Sequence, residues 1–324
     1  MKKYDVAAVG ESLIDFTPSG TNEHGSELFA KNPGGAPANV LAMCAKLGLS
    51  TAFIGKVGND SFGNFLRGTM EDAGIDCRGL VMSDEYPTTL AFVQLSSTGD
   101  RSFSFYRKNC ADVLLDPSEL DRGVIESCRV MHFGGVSLTD EPARSATLEA
   151  VRAAKAAGAL VSYDPNYRPP LWKSEAEATE VMRSALPLAD IIKVSGDELE
   201  LLCGQSDPAR GAEELMKQGA RLVMVTLGAN GAYYLTANSS GYSHAYDVPT
   251  VDTTGAGDTF MGSVLAMVLR EQSLDDISPE RWSWIMSFAG AAGSLATTRP
   301  GAIPAMPDEN GTLECMRTVP ELIV

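Results

Sequence analysis

The sequence predicts an α/β protein built on a doubly wound, mainly parallel β-sheet flanked by helices. Short apolar runs alternate with alanine- and glutamate-rich helical stretches along most of the 324 residues. Glycine or proline follows many of these runs, as expected where a strand or helix ends. Between residues 88 and 107 the pattern changes to two β-rich runs, which do not fit a parallel sheet. We therefore expect a single domain over 1–324, with a small β-sheet lid inserted at about 12–31 and 88–108.

The first third of the chain predicts two strands, two helices and a hairpin. The strands are YDVAAVG and TAFIGKVG, which are short apolar runs closed by glycine. The first helix, ANVLAMCAKLG, places apolar residues on one face and stops at Gly48. The second, DSFGNFLRGTMEDAG, begins at an N-cap aspartate or serine and ends at Gly74. The hairpin, TTLAFVQLSSTGDRSFSFYR, turns at Gly99 and Asp100.

The rest of the chain predicts the remaining strands of the large sheet. They are VMHFGG, ALVSYDPN, IIKVS, LVMVTLG and YSHAYDVPTVD, and helical stretches separate most of them. Ligands of such sheets bind beyond the carboxyl ends of the strands. Asp164, Ser195, Gly228 and Asp252 all follow predicted strands, so we expect the site at that edge.

Composition limits the classes of partner. A content of 44% hydrophobic and 21% charged residues is typical of a globular protein, and a net charge of −16 argues against nucleic acid or an anionic membrane. Six cysteines are scattered without metal-like spacing, which indicates reduced thiols. The start resembles no signal peptide, and no run reaches the ~18 apolar residues of a membrane helix. We expect a cytoplasmic protein.

The stretch VDTTGAGDTFMG at residues 251–262 predicts a glycine turn followed by a helix. Exposed backbone N–H groups of Gly255, Ala256 and Gly257 suit the negative charge that develops on a transferred phosphoryl group. Asp258, in the first helical turn, could accept the proton of an attacking hydroxyl group. The alternative is an aspartate that only complements the helix dipole, and the local sequence leaves both open.

Other motifs are weaker by themselves. In NPGGAPANV, the Asn39 amide could donate and accept hydrogen bonds with a polyol. A turn followed by an N-cap explains the same motif equally well. SYDPNYRPPLW carries Arg168, which suits an anion or a surface ion pair. In KVSGDELELL, Glu198 could hold Mg²⁺ through water or close a capping box with Ser195. VTLGANGAYY could admit a nucleotide or be merely a hairpin.

Taken in order, these segments resemble the ribokinase-like sugar kinases, also called the phosphofructokinase-B family. GGAPANVLAMCAKLG resembles the first signature of that family and DTTGAGDTFMGSVLA the second, and the likeness covers nearly the whole chain. The segments FYRKNCADVLL, DPNYRPPLW, KVSGDELELL and TTRPGAIPAMP most resemble fructokinases. Gly290 stands where asparagine is common in the family.

The resemblance implies a role for each matching residue. Asp258 would be the catalytic base and Gly255, Ala256 and Gly257 the anion hole. The sugar would be bound by Asp15, Gly34, Gly35, Asn39, Phe105, Arg107 and Arg168. The ATP side would involve Asn166, Ser195, Glu198, Thr226, Gly228 and Gly231, with Glu198 orienting Mg²⁺ through water. A K⁺ ion would be held by the Asp252 carboxylate and by carbonyls of Thr254, Ala296, Arg299 and Gly301.

The activity implied is ATP-dependent phosphorylation of a sugar hydroxyl, with D-fructose as the expected acceptor and fructose 6-phosphate as the product. Alternatives are a 2-keto-3-deoxygluconate kinase, whose acid substrate could pair with Arg107 and Arg168, and a ribosyl-type sugar kinase. A different class is a catalytically inactive sugar-binding regulator, against which an intact Asp258 argues. The expected cofactors are ATP, Mg²⁺ and K⁺. Lids in this family can pair between subunits, so a homodimer through the lid is a further expectation.

Overall fold

The structure is a computed structural model that describes residues 2–95 and 101–322. Its strands are β1 (Tyr4–Val9), β2 (Leu13–Thr21), β3 (Glu27–Gly34), β4 (Thr51–Gly58), β5 (Ile75–Ser83), β6 (Leu90–Leu95), β7 (Arg101–Tyr106), β8 (Cys128–Gly134), β9 (Leu160–Asp164), β10 (Ile191–Ser195), β11 (Leu222–Thr226), β12 (Ala232–Thr236) and β13 (Ser240–Ser243). Its helices are α1 (Ala36–Lys46), α2 (Ser61–Asp72), α3 (Arg122–Glu126), α4 (Ala143–Ala156), α5 (Glu175–Ala185), α6 (Gly196–Cys203), α7 (Pro208–Met216), α8 (Ala256–Val268), α9 (Pro279–Ala296) and α10 (Glu309–Thr318).

A large sheet has the strand order β13-β12-β11-β10-β9-β8-β1-β4-β5. From β11 to β5 neighbouring strands are parallel, whereas β12 and β13 pair antiparallel at one edge. The chain leaves β1 in one direction through β4 and β5 and in the other through β8 to β11. The strand order therefore reverses between β1 and β8, where open α/β sheets bind ligands. The predicted fold class is confirmed.

Helices cover both faces of this sheet because the apolar side chains of each strand point alternately to one face and then to the other. In β1, Val6 and Ala8 belong to one buried cluster and Ala7 and Val9 to another. The first cluster contains apolar residues of α1, α8 and α9, and the second contains those of α4, α6 and α7. A strand buried on both faces is apolar along its whole length. Most strands of this sheet could therefore be predicted from the sequence.

Helix ends follow the predicted chemistry. Asp60 caps α2 by accepting hydrogen bonds from the backbone N–H groups of Phe62 and Gly63. Gly48 and Gly74 follow α1 and α2 with φ of +88° and +83°, a conformation that glycine adopts without strain. None of the helices in the described part of the chain combines the length and the apolar character needed to cross a membrane.

A second sheet, hereafter the lid, has the strand order β3-β2-β6-β7. It comes from the two predicted segments, although β3 extends to Gly34, beyond the expected boundary at 31. The predicted hairpin turn at Gly99 and Asp100 lies outside the described residues. An aromatic cluster holds the lid together, with Phe16 stacked on Phe92 and Tyr106 edge-on to the same ring.

Two contacts join the lid to α2, beside the large sheet. The Lys31 ammonium lies 3.8 Å from the centroid of the Phe65 ring, and the Phe16 ring packs edge-on against Phe62 at 5.9 Å. The chain passes from β1 into the lid through residues 10–12. The lid is therefore attached at the carboxyl end of β1, next to the point where the strand order reverses.

Two predictions of strands were wrong. The segment YSHAYDVPTVD forms a strand only at its start, where Tyr242 and Ser243 belong to β13. Pro249 and the polar residues near it cannot continue an edge ladder, and the chain turns away. In contrast, β5 was missed, because IDCRGLVMS mixes charged and apolar residues as an edge strand does.

Candidate active site

Two cavities open at the carboxyl edge of the large sheet. The first, of about 720 Å³, lies between the lid and the strand ends and is lined by Glu11, Asp15, Gly35, Asn39, Phe105, Asp164, Asn166, Arg168, Lys193, Gly255 and Asp258, among others. The second, of about 410 Å³, is lined by Thr226, Gly228, Gly231, Tyr246, Phe260, Gly290, Ser294 and Leu322, among others. Thr253 and Gly257 line both cavities. The glycine turn of TTGAGD therefore stands where the cavities meet.

The turn has the geometry of an anion site. Gly255 precedes α8 with φ of +77°, and a Cβ placed on it would lie 2.5 Å from the Cβ of Ala302. Only glycine fits this position, for both reasons. The first N–H groups of a helix have no partner within it, and the helix dipole adds positive potential at this end. The predicted anion hole of Gly255, Ala256 and Gly257 thus lies between two cavities.

Asp258 is partly buried in the first turn of α8 and lines the first cavity. The side-chain amide of Asn39 donates to its Oδ2 at 2.8 Å, which fixes the orientation of the carboxylate. Burial raises the pKa of Asp258 to about 6, against the lowering effect of the Asn39 hydrogen bond. A carboxylate with this pKa is ionised at neutral pH and is a better proton acceptor than an exposed aspartate.

Three acidic groups accompany Asp258 around the first cavity. Burial raises the pKa of Asp15 to about 6, although Arg168 lowers it. Burial likewise raises the pKa of Glu11 to about 7. Glu11 Oε1 accepts a hydrogen bond from the Ala36 N–H at 3.1 Å. The third acidic group, Asp164, lies with Lys193 in the ion pair described below.

Two residues that line the cavity carry a side-chain oxygen without a hydrogen-bond partner in the described structure. These oxygens are Glu11 Oε2 and Asn39 Oδ1, both buried. Buried polar atoms are normally paired, because an unpaired one costs about 1–3 kcal/mol.

The two glycines of NPGG are needed by the acidic cluster. A Cβ on Gly34 would collide with Asp15 Oδ2, so any side chain there displaces the Asp15 carboxylate. Gly35 has φ of +113°, and a Cβ on it would lie 2.5 Å from the Glu11 carbonyl. Gly34 thus leaves room for Asp15, and Gly35 allows the close approach of α1 to the β1–β2 connection.

Arg107 does not itself line the first cavity, although it contacts Val136, which does. Its Nε donates to Asp112 Oδ2 at 2.7 Å, and its other nitrogens donate to Thr139 Oγ1 and to the Val136 carbonyl. This buried ion pair joins the residue after β7 to the main body. Phe105 and Arg168 line the cavity, and so does Asn166, which the sequence had assigned to the nucleotide side.

Ser195 and Glu198 form the capping box of α6. The Ser195 hydroxyl accepts from the Glu198 N–H at 3.2 Å, and Glu198 Oε2 accepts from the Ser195 N–H at 2.7 Å. Glu198 Oε1 accepts from the Tyr167 N–H at 2.6 Å. Of the two alternatives left open by the sequence, the capping box is present, and neither residue lines either cavity.

The second cavity is lined largely by backbone and apolar groups, which suits a flat aromatic base. Thr226, Gly228 and Gly231 all lie on it, as predicted for a nucleotide site. A Cβ on Gly290 would lie 2.7 Å from the His244 carbonyl, which explains why no asparagine fits here. The sequence did not predict Leu322, which lines the cavity because its N–H bonds the Ala245 carbonyl at 2.7 Å.

Three of the five predicted K⁺ residues, Asp252, Thr254 and Gly301, are brought together from two distant segments. Asp252 Oδ1 accepts from the Thr254 N–H at 2.9 Å, and Asp252 Oδ2 accepts from the Gly301 N–H at 3.0 Å. The N–H groups of Val251 and Asp252 bond the Thr297 carbonyl. Within residues 2–95 and 101–322, no group of three or more His, Cys, Asp or Glu side chains is arranged for a metal. A carboxylate oxygen is a hard ligand, so Asp252 suits a cation such as K⁺ better than a soft transition metal.

Sequence reasoning also missed Lys193. It belongs to β10, lines the first cavity and pairs with Asp164 Oδ2 at 2.8 Å. The signal was a lysine inside the apolar run IIKVS. A charged residue in a strand buried on both faces needs a partner, and Asp164 on the adjacent β9 provides it.

A cavity lined by acidic groups and an asparagine meets a second cavity of nucleotide size at a glycine turn that begins a helix, and this arrangement is typical of a kinase of the α/β class. The family model described as pfkB family carbohydrate kinase matches residues 3–309. The chain belongs to the pfkB family of carbohydrate kinases.

Its relatives are similar over nearly the whole length. Fructokinase-2 of Zea mays is 45% identical over 305 residues, which cover 93% of this chain and 91% of that protein. The structure of a fructokinase from Xylella fastidiosa with bound ATP has a TM-score of 0.89 at 34% identity, covering 98% and 99% of the two chains. A fructokinase from Vibrio cholerae, solved with fructose, ADP and calcium, has a TM-score of 0.86 at 33% identity, covering 97% and 99%. A double mutant of that enzyme was solved with fructose, ADP and potassium.

Proposed function

We propose that the chain, acting as a single kinase domain over 1–324, is an ATP-dependent fructokinase that converts D-fructose to fructose 6-phosphate. The observation that carries the proposal is Asp258, a partly buried carboxylate held by Asn39 beside the turn where the two cavities meet. The fructokinase names of relatives of the same length support fructose as the acceptor.

In this proposal the sugar occupies the first cavity under the lid. Asp15 and Asn39 bind its hydroxyls, and the backbone at Gly34 and Gly35 allows close contact. Phe105 and Arg168 complete the wall, and Arg107 contributes by holding the base of the lid in place. The lid excludes water, which would otherwise compete with the sugar as phosphoryl acceptor.

ATP occupies the second cavity, with its γ-phosphate at the glycine turn. Thr226, Gly228 and Gly231 line the base and ribose side, and Asn166 and Ser195 lie towards the phosphates. Mg²⁺, oriented through water by Glu198, would neutralise charge on the β- and γ-phosphates. A K⁺ ion held by Asp252 and by carbonyls of Thr254, Ala296, Arg299 and Gly301 would stiffen the turn.

The reaction itself requires one proton acceptor and one anion site. Asp258 takes the proton of the sugar 6-hydroxyl as its oxygen attacks the γ-phosphate. The N–H groups of Gly255, Ala256 and Gly257 stabilise the charge that spreads over the transferred phosphoryl group. Catalysis then depends on positioning and charge, as phosphoryl transfer requires.

The proposal is tested by an ADP-coupled assay across fructose, glucose, ribose and 2-keto-3-deoxygluconate. We expect kcat/KM for fructose to exceed each of the others by at least about tenfold, about 1.4 kcal/mol of discrimination. A keto-acid that beats fructose tenfold would replace the assignment, with Arg168 as the carboxylate partner. Preferred phosphorylation of ribose would favour a ribosyl-type kinase, and turnover of none would favour a sugar-binding regulator.

We further propose a cytoplasmic location and a homodimer formed through the lid. The cysteines of the described residues are all free thiols, which supports a reducing compartment. Leu28, Phe29 and Tyr106 are exposed on the lid, which supports a contact between two copies. Light scattering of the wild type and of a Phe29→Ser variant tests the dimer, since a monomeric wild type would refute it.

A further inference from the structure

Lys193 lies where the charge of the reaction develops. Its neighbours Ile192 and Val194 point into the core on one face of the large sheet, so Lys193 points to the other face. It is the third of five residues in β10, close to the end at which the first cavity opens. Only 6% of Lys193 is exposed, yet it lines that cavity.

The ammonium group also faces the anion site. A Cβ placed on Gly257 would lie 3.3 Å from Lys193 Nζ. Gly257 lines both cavities, so Nζ lies beside the place where the two substrates meet. Gly257 thus has a second reason to be glycine, since a side chain there would stand between the lysine and the anion site.

Lys193 keeps its charge although it is buried. Burial lowers the pKa of Lys193, but Asp164 and Glu198 raise it more, so that the net shift is upward. An ammonium has three N–H groups and can keep its bond to Asp164 while donating to a second anion. A buried cation next to Asp258 would also reduce the repulsion between that carboxylate and the γ-phosphate.

We propose that Lys193 is a catalytic residue that donates a hydrogen bond to the transferred phosphoryl group; this inference rests on the kinase function proposed above. In the step, the sugar 6-oxygen forms a bond to the γ-phosphorus and the bond from that phosphorus to the β,γ-bridging oxygen breaks. The electron pair of the broken bond stays on the β-phosphate of ADP. The hydroxyl proton goes to Asp258, and Lys193 remains protonated throughout.

The test compares Lys193→Met with Lys56→Met. Lys56 is also buried, and it pairs with Glu119 at 2.7 Å away from both cavities. We expect Lys193→Met to lower kcat by about 10²-fold or more, as the loss of one transition-state donor does, with a change of less than about fivefold in the KM for fructose. Lys56→Met should keep the wild-type kcat.

Two further variants separate a catalytic lysine from one that only neutralises Asp164. In the double variant Lys193→Met/Asp164→Leu the buried charge pair is absent, so a structural role predicts recovery of kcat, whereas the proposal predicts none. Lys193→Arg keeps the charge and serves if the methionine variant does not fold. We expect Lys193→Arg to bind ADP with aluminium fluoride and fructose at least about tenfold more weakly than wild type, while its affinity for ADP alone changes little.

The outcomes distinguish this proposal from that of the function. If the wild type turns over no substrate of the panel, the kinase function fails. If the wild type is active and folded Lys193→Met keeps its kcat, only the proposal for Lys193 is overturned. Recovery of kcat in the double variant, or wild-type affinity of Lys193→Arg for the aluminium fluoride complex, would overturn it as well.

Discussion

At the scale of single residues, Asp258 has two possible roles, and they change the stability of the fold in opposite directions. An aspartate that complements a helix dipole stabilises the fold by about 0.3–1 kcal/mol. A partly buried aspartate kept as a base does the reverse, because its pKa of about 6 means that ionisation at neutral pH opposes folding. Replacing this one side chain therefore separates the structural from the catalytic interpretation.

We expect Asp258→Asn to lower kcat by at least about 10²-fold, because the amide keeps the shape and loses the basicity. We also expect its Tm at pH 8 to be higher than that of the wild type. The folded pKa lies above the unfolded one, so the contribution of Asp258 to stability is present below pH 4 and is lost as pH rises through about 6. The gain in Tm should therefore vanish near pH 4. Near wild-type kcat with a lowered Tm would mean that Asp258 is a dipole-complementing residue.

The same pKa predicts the pH dependence of the wild type. Below pH 6 the Asp258 carboxyl group is protonated and cannot accept the sugar proton. We expect kcat/KM for fructose to fall up to about tenfold per pH unit below an apparent pKa of about 6. The pKa of Asp15 is also raised to about 6, so Asp15 titrates over the same range. Asp15→Asn is therefore the control, and its kcat/KM should still fall at acidic pH. A flat profile between pH 5 and 8 would contradict a base with this pKa.

At the scale of elements, the lid depends on a buried ion pair as well as on its own sheet. Arg107 follows β7 and Asp112 follows five residues later, with side-chain exposures of 6% and 1%. Thr89, just before β6, donates to Asp112 Oδ1. One carboxylate thus ties both ends of the lid hairpin to residues 136–139 through Arg107.

We expect Arg107→Met to lower the free energy of unfolding by about 3–5 kcal/mol, because it leaves Asp112 buried without its cation. Urea denaturation measures this change. The control is Arg67→Met on α2, where the ion pair with Glu71 is exposed to solvent and should contribute little to stability. A stable Arg107→Met variant with a raised KM for fructose would show instead that Arg107 contacts the sugar directly.

At the scale of the whole molecule, the catalytic turn depends on segments that are distant in the chain. Residues 251–254 are held to residues 297–301 by backbone bonds and by the Asp252 carboxylate. These segments, together with Ala296 at the end of α9, carry the oxygens expected to hold K⁺. An ion between them would couple the chain after α9 to the anion site at the start of α8.

We expect kcat to be at least about fivefold higher in K⁺ buffer than in tetramethylammonium buffer of equal ionic strength, within the usual range of such couplings. Asp252→Asn should lose the response to K⁺, because a neutral amide binds the cation less well. Initial rates at saturating fructose and ATP measure the effect. Equal rates in both buffers would contradict the K⁺ site.

Most of the sheet and the catalytic turn could be predicted from sequence because each depends on local chemistry. Strands buried on two faces must be apolar along their length, and a helix that starts after a positive φ needs glycine. The edge strand β5 and the end of β13 could not be predicted, because pairing at a sheet edge depends on neighbours distant in sequence. The resemblance to a known family over nearly the whole chain then predicted roles for site residues that no single motif supports.

The tertiary structure alone decided which charges meet. Lys193 and Asp164 are far apart in sequence, and only the parallel pairing of β9 with β10 places them together. Asn39 reaches Asp258 because α1 packs beside α8, and Arg107 is held beside the first cavity because Asp112 binds it. The sequence by itself determined most of the elements and the glycine turn, since these follow from local propensity and spacing, whereas Asp258 as the base remains a prediction from the family resemblance. The partners and the pKa of each charged group arise from burial and distance, which exist only after the chain has folded.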